Sequence, residues 1–229
     1  MRRHILGAWG LVLAGLGALL AGCAQEEVPA RPGQAVGSGH LVQQEIPLTG
    51  FSGVHVGFGM SADITVGESE RVQVQGDDNL LALLTWKVKD GVLSADRDPQ
   101  WDSFRPSQPL HLTVVTPHLT RLRASGGAHA NASGVEVPGF ALDASAGSEV
   151  ALVGHAGQVV LEASGGSWVD LRRFPSEGLD VAASGGSRVH ATVSGQVTGQ
   201  LSGGSVLTCD GQPSSRLVST SGGAGVSYP

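Results

Sequence analysis

Five residues in the middle of the chain, Glu149, Trp168, Asp170, Arg188 and His190, are of the types that hold or process sugars. An exposed tryptophan can stack against a sugar ring, and an aspartate beside a histidine can divide the roles of general acid and general base. Their spacing adds weight: Trp168 stands 19 residues after Glu149 and 20 before Arg188, and Asp170 stands 20 before His190. A structural period of that length would bring each set side by side. Two simpler readings need no ligand. Trp168 and Arg188 can form a cation–π contact, and Asp170 and His190 a surface ion pair, and both are favoured over the site readings.

A second set of reactive residue types is more insistent. Ser125, Ser145, Ser164, Ser184, Ser202 and Ser221 each open a short phrase (SGGA, SAGS or SGGS) and are separated by 20, 19, 20, 18 and 19 residues. Nucleophilic serine needs a base and an orienting group found once, whereas a hydroxyl copied on every turn belongs to a scaffold. The period therefore describes stacked coils, a β-solenoid of about 19–20 residues per turn.

Aligning the units on these serines shows what must position the candidate residues. Ahead of each serine, apolar residues alternate with polar ones, and one column reads Leu122, Leu142, Leu161, Val181, Gly199 and Val218. That is a strand with its apolar side inward. The glycines then turn the chain at little steric cost. Beyond the turn, Val150, Val169 and Val189, and then Leu152, Leu171 and Ala191, form further inward ladders. Cys209 falls in the second of these, so it reads as a small buried hydrophobe in preference to a reactive thiol. Small residues at the end of the turn, among them Ser148, Ser167, Ser187 and Ser205, suit a narrow corner where hydroxyls can bond along the axis. Outward positions of the second strand carry Glu149, Trp168 and Arg188 in one row and Asp170 and His190 in the next, neighbours being about 4.8 Å apart in a parallel coil.

Before Pro117 the pattern is less regular. Val54 and Val56, Ile64 and Val66, and Val72 and Val74 alternate as strands, and Leu110, Leu112 and Val114 as another. Asp77 to Thr85 reads as a short helical turn capped by Asp78 or Asn79. Asp90 and Gly91 mark a hairpin, and the regular coils begin after Pro117.

The N-terminus combines Arg2 and Arg3, an uncharged run from Ile5 to Leu20, and Leu20-Ala21-Gly22-Cys23. This reads as an export signal, shorter than the about 20 residues a transmembrane helix needs, and it resembles the bacterial lipoprotein lipobox. The resemblance implies a signal peptide of residues 1–22, acylation of Cys23, and anchoring in the membrane through lipid. Ala24, where aspartate would favour inner-membrane retention, points to the outer membrane. Residues 23–46 are rich in Gln, Glu, Pro and Gly without an apolar period, which describes a flexible linker, and 47–229 is the solenoid domain. The formal charge of −6 argues against nucleic acid as a partner. His40, His55, His111, His118 and His155 show no ligand spacing, and aspartate does not recur after the glycines, so neither a metal nor another cofactor is expected.

The set GFSGVHV (Gly50 to Val56), ADITV (Ala62 to Val66), VQVQGDDNLL (Val72 to Leu81), LTVVTP (Leu112 to Pro117) and the SGG phrases resembles the bacterial head GIN domain family of autotransporter-type adhesins. The resemblance covers the chain from about residue 45 onward. It implies an all-β, right-handed parallel β-helix or β-solenoid and an exported, often lipidated protein, and it supplies no catalytic residues. The expected function is a non-enzymatic, lipid-anchored envelope adhesin or scaffold that meets a polysaccharide or surface protein. The alternatives are a carbohydrate-active β-helix lyase or hydrolase using Asp170, His190 and Arg188, and an envelope assembly protein that self-associates end to end beyond Tyr228 and Pro229.

Overall fold

The computed structural model describes residues 31–229. The first part of the chain forms β1 (Gln34–Val36), β2 (Leu41–Glu45), β3 (Gly53–Val56), β4 (Ser61–Val66), β5 (Arg71–Asp77), a single turn α1 (Asp78–Leu81), β6 (Leu84–Lys89), β7 (Val92–Arg97), β8 (Ser103–Arg105) and β9 (His111–Thr116). The repeats follow as β10 (Arg121–Ala124), β11 (His129–Ala144), β12 (Glu149–Ala163), β13 (Trp168–Ala183), β14 (Arg188–Leu201), β15 (Val206–Asp210), β16 (Ser215–Thr220) and β17 (Gly225–Ser227). This is the all-β solenoid that the period requires.

Each long strand runs along one side of the solenoid and ends on another, so every coil contributes a trailing segment after one serine and a leading segment before the next. The ladders are parallel and keep the expected register: Val150 pairs with Val169, Val169 with Val189 and Val189 with Leu207, while Leu142 pairs with Leu161 and Leu161 with Val181. These side chains are buried, and stacking them between coils is what excludes water from a unit too thin to have a core of its own. Cys209 is fully buried in its column beside Ala191, and burial raises its thiol pKa, so the sulfur stays protonated.

The turns are tight because both central residues take positive φ, as in Gly165 (61°) and Gly166 (76°), and the residue after them closes the turn, Ser167 N donating to Ser164 O at 3.3 Å. Ala146 holds the place of the first glycine at φ 51°. A Cβ in this left-handed region costs about 1–2 kcal/mol, against which glycine's extra freedom in the unfolded chain costs about 0.4–1 kcal/mol. Ala146→Gly is therefore expected to stabilise the protein by about 0.5–1 kcal/mol, a rise in Tm of about 1–3 °C. An unchanged or lower midpoint in a thermal melt followed by circular dichroism would contradict this.

The corner serines bond along the axis, but to carbonyls and not to one another. Ser148, Ser167, Ser187 and Ser205 donate their hydroxyls to the carbonyls of Ala124, Ala144, Ala163 and Ala183, one coil back, at 3.0–3.2 Å.

Regular coils begin earlier than the serine pattern indicates. β3 pairs in parallel with β10 and β4 with β11, which makes residues 53–66 the leading strand, turn and trailing strand of an earlier coil. Its turn is Gly57-Phe58-Gly59-Met60, with Met60 N bonded to Gly57 O at 3.0 Å and Phe58 at φ 57° in the place of the first glycine. The chain then leaves the solenoid, builds a cap and returns at β10. On the trailing side β9 lies parallel to β4, β5 antiparallel to β9 and β2 antiparallel to β5. On the leading side the antiparallel β6/β7 hairpin joins through β7 to β3. Its turn is Asp90-Gly91, as expected, with both residues at positive φ.

The described part of the expected linker is not free. β1 pairs with β8 and β2 with β5, although β2 is exposed throughout. Polar bonds hold this segment where apolar periodicity is absent. The buried Asp77 carboxylate accepts from Gly39 N (2.8 Å), Ser107 N (2.9 Å) and Ser107 Oγ (2.6 Å). Asp78 accepts from Ser38 Oγ at 2.5 Å, and the Asn79 side chain accepts from Ser38 N and donates to Val36 O. The expected caps are thus displaced: Asp77 is the N-cap residue of α1 and makes no side-chain cap bond, while Asp77, Asp78 and Asn79 together clamp residues 36–39.

Candidate functional site

The trailing side of the coils brings the expected residues together. Trp168 pairs in register with Glu149 on one side and Arg188 on the other, and Asp170 with His190. Their Cβ atoms share the outward side because they alternate with the buried Val150, Val169, Leu171 and Val189. The register expectation is met, but the side chains choose other partners than those read from the period.

Asp170 turns to Arg172, two residues on in the same strand, with Nη2···Oδ2 at 2.6 Å, Nε···Oδ1 at 3.0 Å and the Arg172 backbone N on Oδ1 at 3.0 Å. A bidentate guanidinium plus a backbone donor outcompetes an imidazole one coil away. The Arg172 hydrogen bond holds the Asp170 carboxyl below its ordinary pKa, so it remains charged near neutrality and cannot serve as a general acid. His190 Nε2 lies 2.8 Å from Asp210 Oδ2, and His129 Nδ1 lies 3.1 Å from Glu149 Oε2, again across one coil. The expected Asp170–His190 ion pair and Trp168–Arg188 cation–π contact are therefore not the pairs formed. The cation–π contacts among the described residues belong to Arg97, with Phe58 and Phe104, and to Arg216, with Tyr228.

Trp168 is left 42% exposed. Its ring borders a shallow depression shared with His129, Asn131, Glu149 and Asp170, floored by Ala151. Beyond Ala151 the hollow continues past Asn131 and Ser133 to Asp63 and Arg173. The small side chain at 151 gives the depth; the aromatic wall and flanking charges give the chemistry. Such a surface can stack a flat ring and hydrogen-bond its hydroxyls, but no free acid and base face each other across it. A wider trough on the third side of the coils, among Glu136, His155, Gln158, Glu177 and Gln196, has no aromatic wall.

One repeated serine differs from the others. Ser125 Oγ lies 3.0 Å from His55 Nε2, beside Gly57 of the previous coil. Burial, with a contribution from Arg123, lowers the His55 pKa. No described residue hydrogen-bonds the other ring nitrogen, so the orienting member of a catalytic triad is missing. Among the described residues no group of three His, Cys, Asp or Glu is placed to hold a metal ion. Cys23 and the signal segment lie outside the described residues.

Sequence reasoning overlooked a set of residues in the cap. Arg97 lies over Phe58 and Phe104, with its guanidinium carbon 5.4 and 5.9 Å from the ring centroids, and Trp86 packs against the core from the same hairpin. The available indication was Gly-Phe-Gly where other turns carry two small residues.

No curated protein sequence matches this chain. Among solved structures, the fold is similar to a "putative adhesin" from Bacteroides fragilis, with TM-score 0.70 and 15% identity over 85% of this chain and 100% of that one. It is also similar to a "putative adhesin" from Parabacteroides merdae (TM-score 0.54, 12% identity, 86% and 99% of the two chains) and a "putative lipid binding protein" from Parabacteroides distasonis (TM-score 0.50, 12% identity, 86% and 99%). At these identities the likeness is one of fold. The sequence itself matches the family described as "putative auto-transporter adhesin, head GIN domain" over residues 50–213, which is most of the chain, and the protein belongs to that family.

Proposed function

We propose that this protein is a non-enzymatic, lipid-anchored binding scaffold of the bacterial cell envelope, which presents the trailing side of its solenoid to a polysaccharide or a surface protein. The observation that carries the proposal is the exposed Trp168 ring beside a small-floored hollow, with Glu149 and Asp170 lining it and Arg188 and His190 in register on the next coil. Family membership supports an adhesive role. An enzymatic reading would need Asp170 and His190 to act together on one substrate, and each is already engaged elsewhere.

A glycan and envelope-polysaccharide binding screen, with product analysis of every hit, tests this. Saturable binding with the polymer intact is expected, weakened about tenfold or more by Trp168→Ala, since aromatic anchors dominate binding energy. Shortened or unsaturated products that disappear in Asp170→Ala or His190→Ala would overturn the proposal in favour of an enzyme.

The anchor is tested separately. Cys23→Ala is expected to move the protein from the membrane pellet to the soluble fraction of the envelope, because the acyl chains supply the membrane affinity at about 0.8 kcal/mol per buried methylene. A variant that stays in the pellet would refute lipid anchoring.

A further inference from the structure

The cap combines a strained residue, an aromatic sandwich and unpaired donors. Phe58 sits at φ 57° where other turns carry glycine or alanine, and its ring is 38% exposed. A bulky residue in the left-handed region is costly, and such strain concentrates at functional positions. The ring packs against Phe104, centroids 6.4 Å apart, and against the Arg97 guanidinium. Trp86 and Arg97 share one side of the β6/β7 hairpin, because Trp86 pairs with Ala95 and Arg97 with Leu84.

The donors here are not satisfied. Arg97 Nε, Trp86 Nε1 and Trp101 Nε1 are buried without a hydrogen-bond acceptor among the described residues. A buried orphan donor costs about 1–3 kcal/mol, so the cap is held together at a cost that adds to the strain at Phe58. An open groove beside Arg97 is lined by Phe58, Thr85, Asp96, Arg97 and Asp98. Asp96 binds Lys87, and Asp98 accepts from the Gln100 backbone and side chain, so both aspartates stand at the rim with lone pairs to offer.

We propose that this groove is a second ligand site and that it takes a neutral sugar ring. The chemistry selects the class: stacking surface from Phe58, the Arg97 guanidinium on the groove wall, and acceptors for hydroxyl protons from Asp96 and Asp98. An anionic ligand would meet the two aspartates, and an apolar one would desolvate them without offering them a donor. The proposal rests on the binding reading above and deepens it with a second place and a ligand class.

The test uses the full chain purified in a detergent without sugar headgroups and carrying Trp168→Phe, so that among the described tryptophans only the cap indoles report. Cello-, malto-, manno-, xylo- and chitotetraose are titrated against tryptophan fluorescence at millimolar concentrations. At least one is expected to give a saturable change, weakened about tenfold or more by adding Phe58→Gly. That substitution removes the ring while relieving the backbone, and a thermal melt shows that the fold is kept. Absence of any saturable response, a response that Phe58→Gly leaves unchanged, or a response to polygalacturonate alone overturns the cap site. Binding by the unmutated chain that is lost entirely in Trp168→Phe also overturns it, while leaving the trailing side as the binding surface.

Discussion

Gly199→Val is expected to destabilise the protein by about 3 kcal/mol or more, even though the repeat itself asks for a valine there. The column reads Leu122, Leu142, Leu161, Val181, Gly199 and Val218, so a consensus of the repeats would replace the glycine with an aliphatic residue. The structure opposes this. Gly199 holds φ 145°, and a Cβ there would overlap the Val181 carbonyl oxygen and lie 2.8 Å from its carbon and 2.9 Å from Val181 Cγ1. The neighbour is backbone, paired in register with this residue, and cannot move without opening the ladder between two coils. Urea unfolding of the two proteins checks the effect. Val218→Leu, one coil on in the same column and only partly buried, serves as the control and is expected to be near neutral. A Gly199→Val protein within about 1 kcal/mol of the parent would show that the coil spacing adapts, against the rigidity expected of a close-packed interior.

Asp77→Ala is expected to release the N-terminal strands from the cap. The substitution strips the shared charged acceptor from Gly39 N, Ser107 N and Ser107 Oγ at once, and bonds to a charged group contribute more than neutral ones. Because β2 is exposed along its whole length, nothing apolar compensates. Faster amide exchange in residues 41–45 and new proteolytic cutting between β1 and β3 are the readouts, and unchanged exchange in β2 would refute the clamp. The pH dependence follows from the same bonds. Burial alone would raise the Asp77 pKa, but the hydrogen bonds from Ser107 and Gly39 outweigh it and leave the folded value below the ordinary one. A carboxyl with a depressed folded pKa contributes stability above its unfolded pKa of about 3.9 and loses it as pH falls through the folded value. The clamp should therefore be constant from neutral pH to about pH 5 and weaken only in stronger acid.

The parts of the fold that were legible in the sequence are those set by apolar repetition. Val150, Val169 and Val189 announce their ladder because only an inward column keeps such residues at a fixed period. The coil of β3 and β4 escaped because Phe58 and Met60 replace the glycine and small residue of the other turns, and no serine opens the phrase. β1 and β2 escaped for a different reason. Their order comes from carboxylate and amide bonds made by residues about 40 positions away, which leave no period to read.

The candidate site divides along the same line. Which residues share a row follows from backbone register, so Glu149, Trp168 and Arg188 could be placed together from spacing alone. Which of them bond depends on rotamers, and an outward side chain has neighbours both across coils and along its own strand. Arg172, two residues from Asp170, won that competition, and Asp210 took His190. The Phe58, Arg97 and Phe104 stack joins three stretches of the chain with no common spacing, so only the folded cap could reveal it.

The excursion between the first and second coils also constrains how the chain acquires its shape. None of β1, β2, β3 and β4 pairs with another member of that set. Their partners are β8, β5, β7 with β10, and β9 with β11. Among the described strands no ladder can form until β5 has been synthesised, and the first coil cannot close on its successor until residues 121–133 exist. Closure over such separations is slow and leaves strand edges open in the meantime. The later coils pair only with units about 20 residues away and can zip onto one another as they are made. Folding of this solenoid is accordingly a delayed start followed by rapid growth, and its earliest strands stay open to wrong pairings until the second coil has been made.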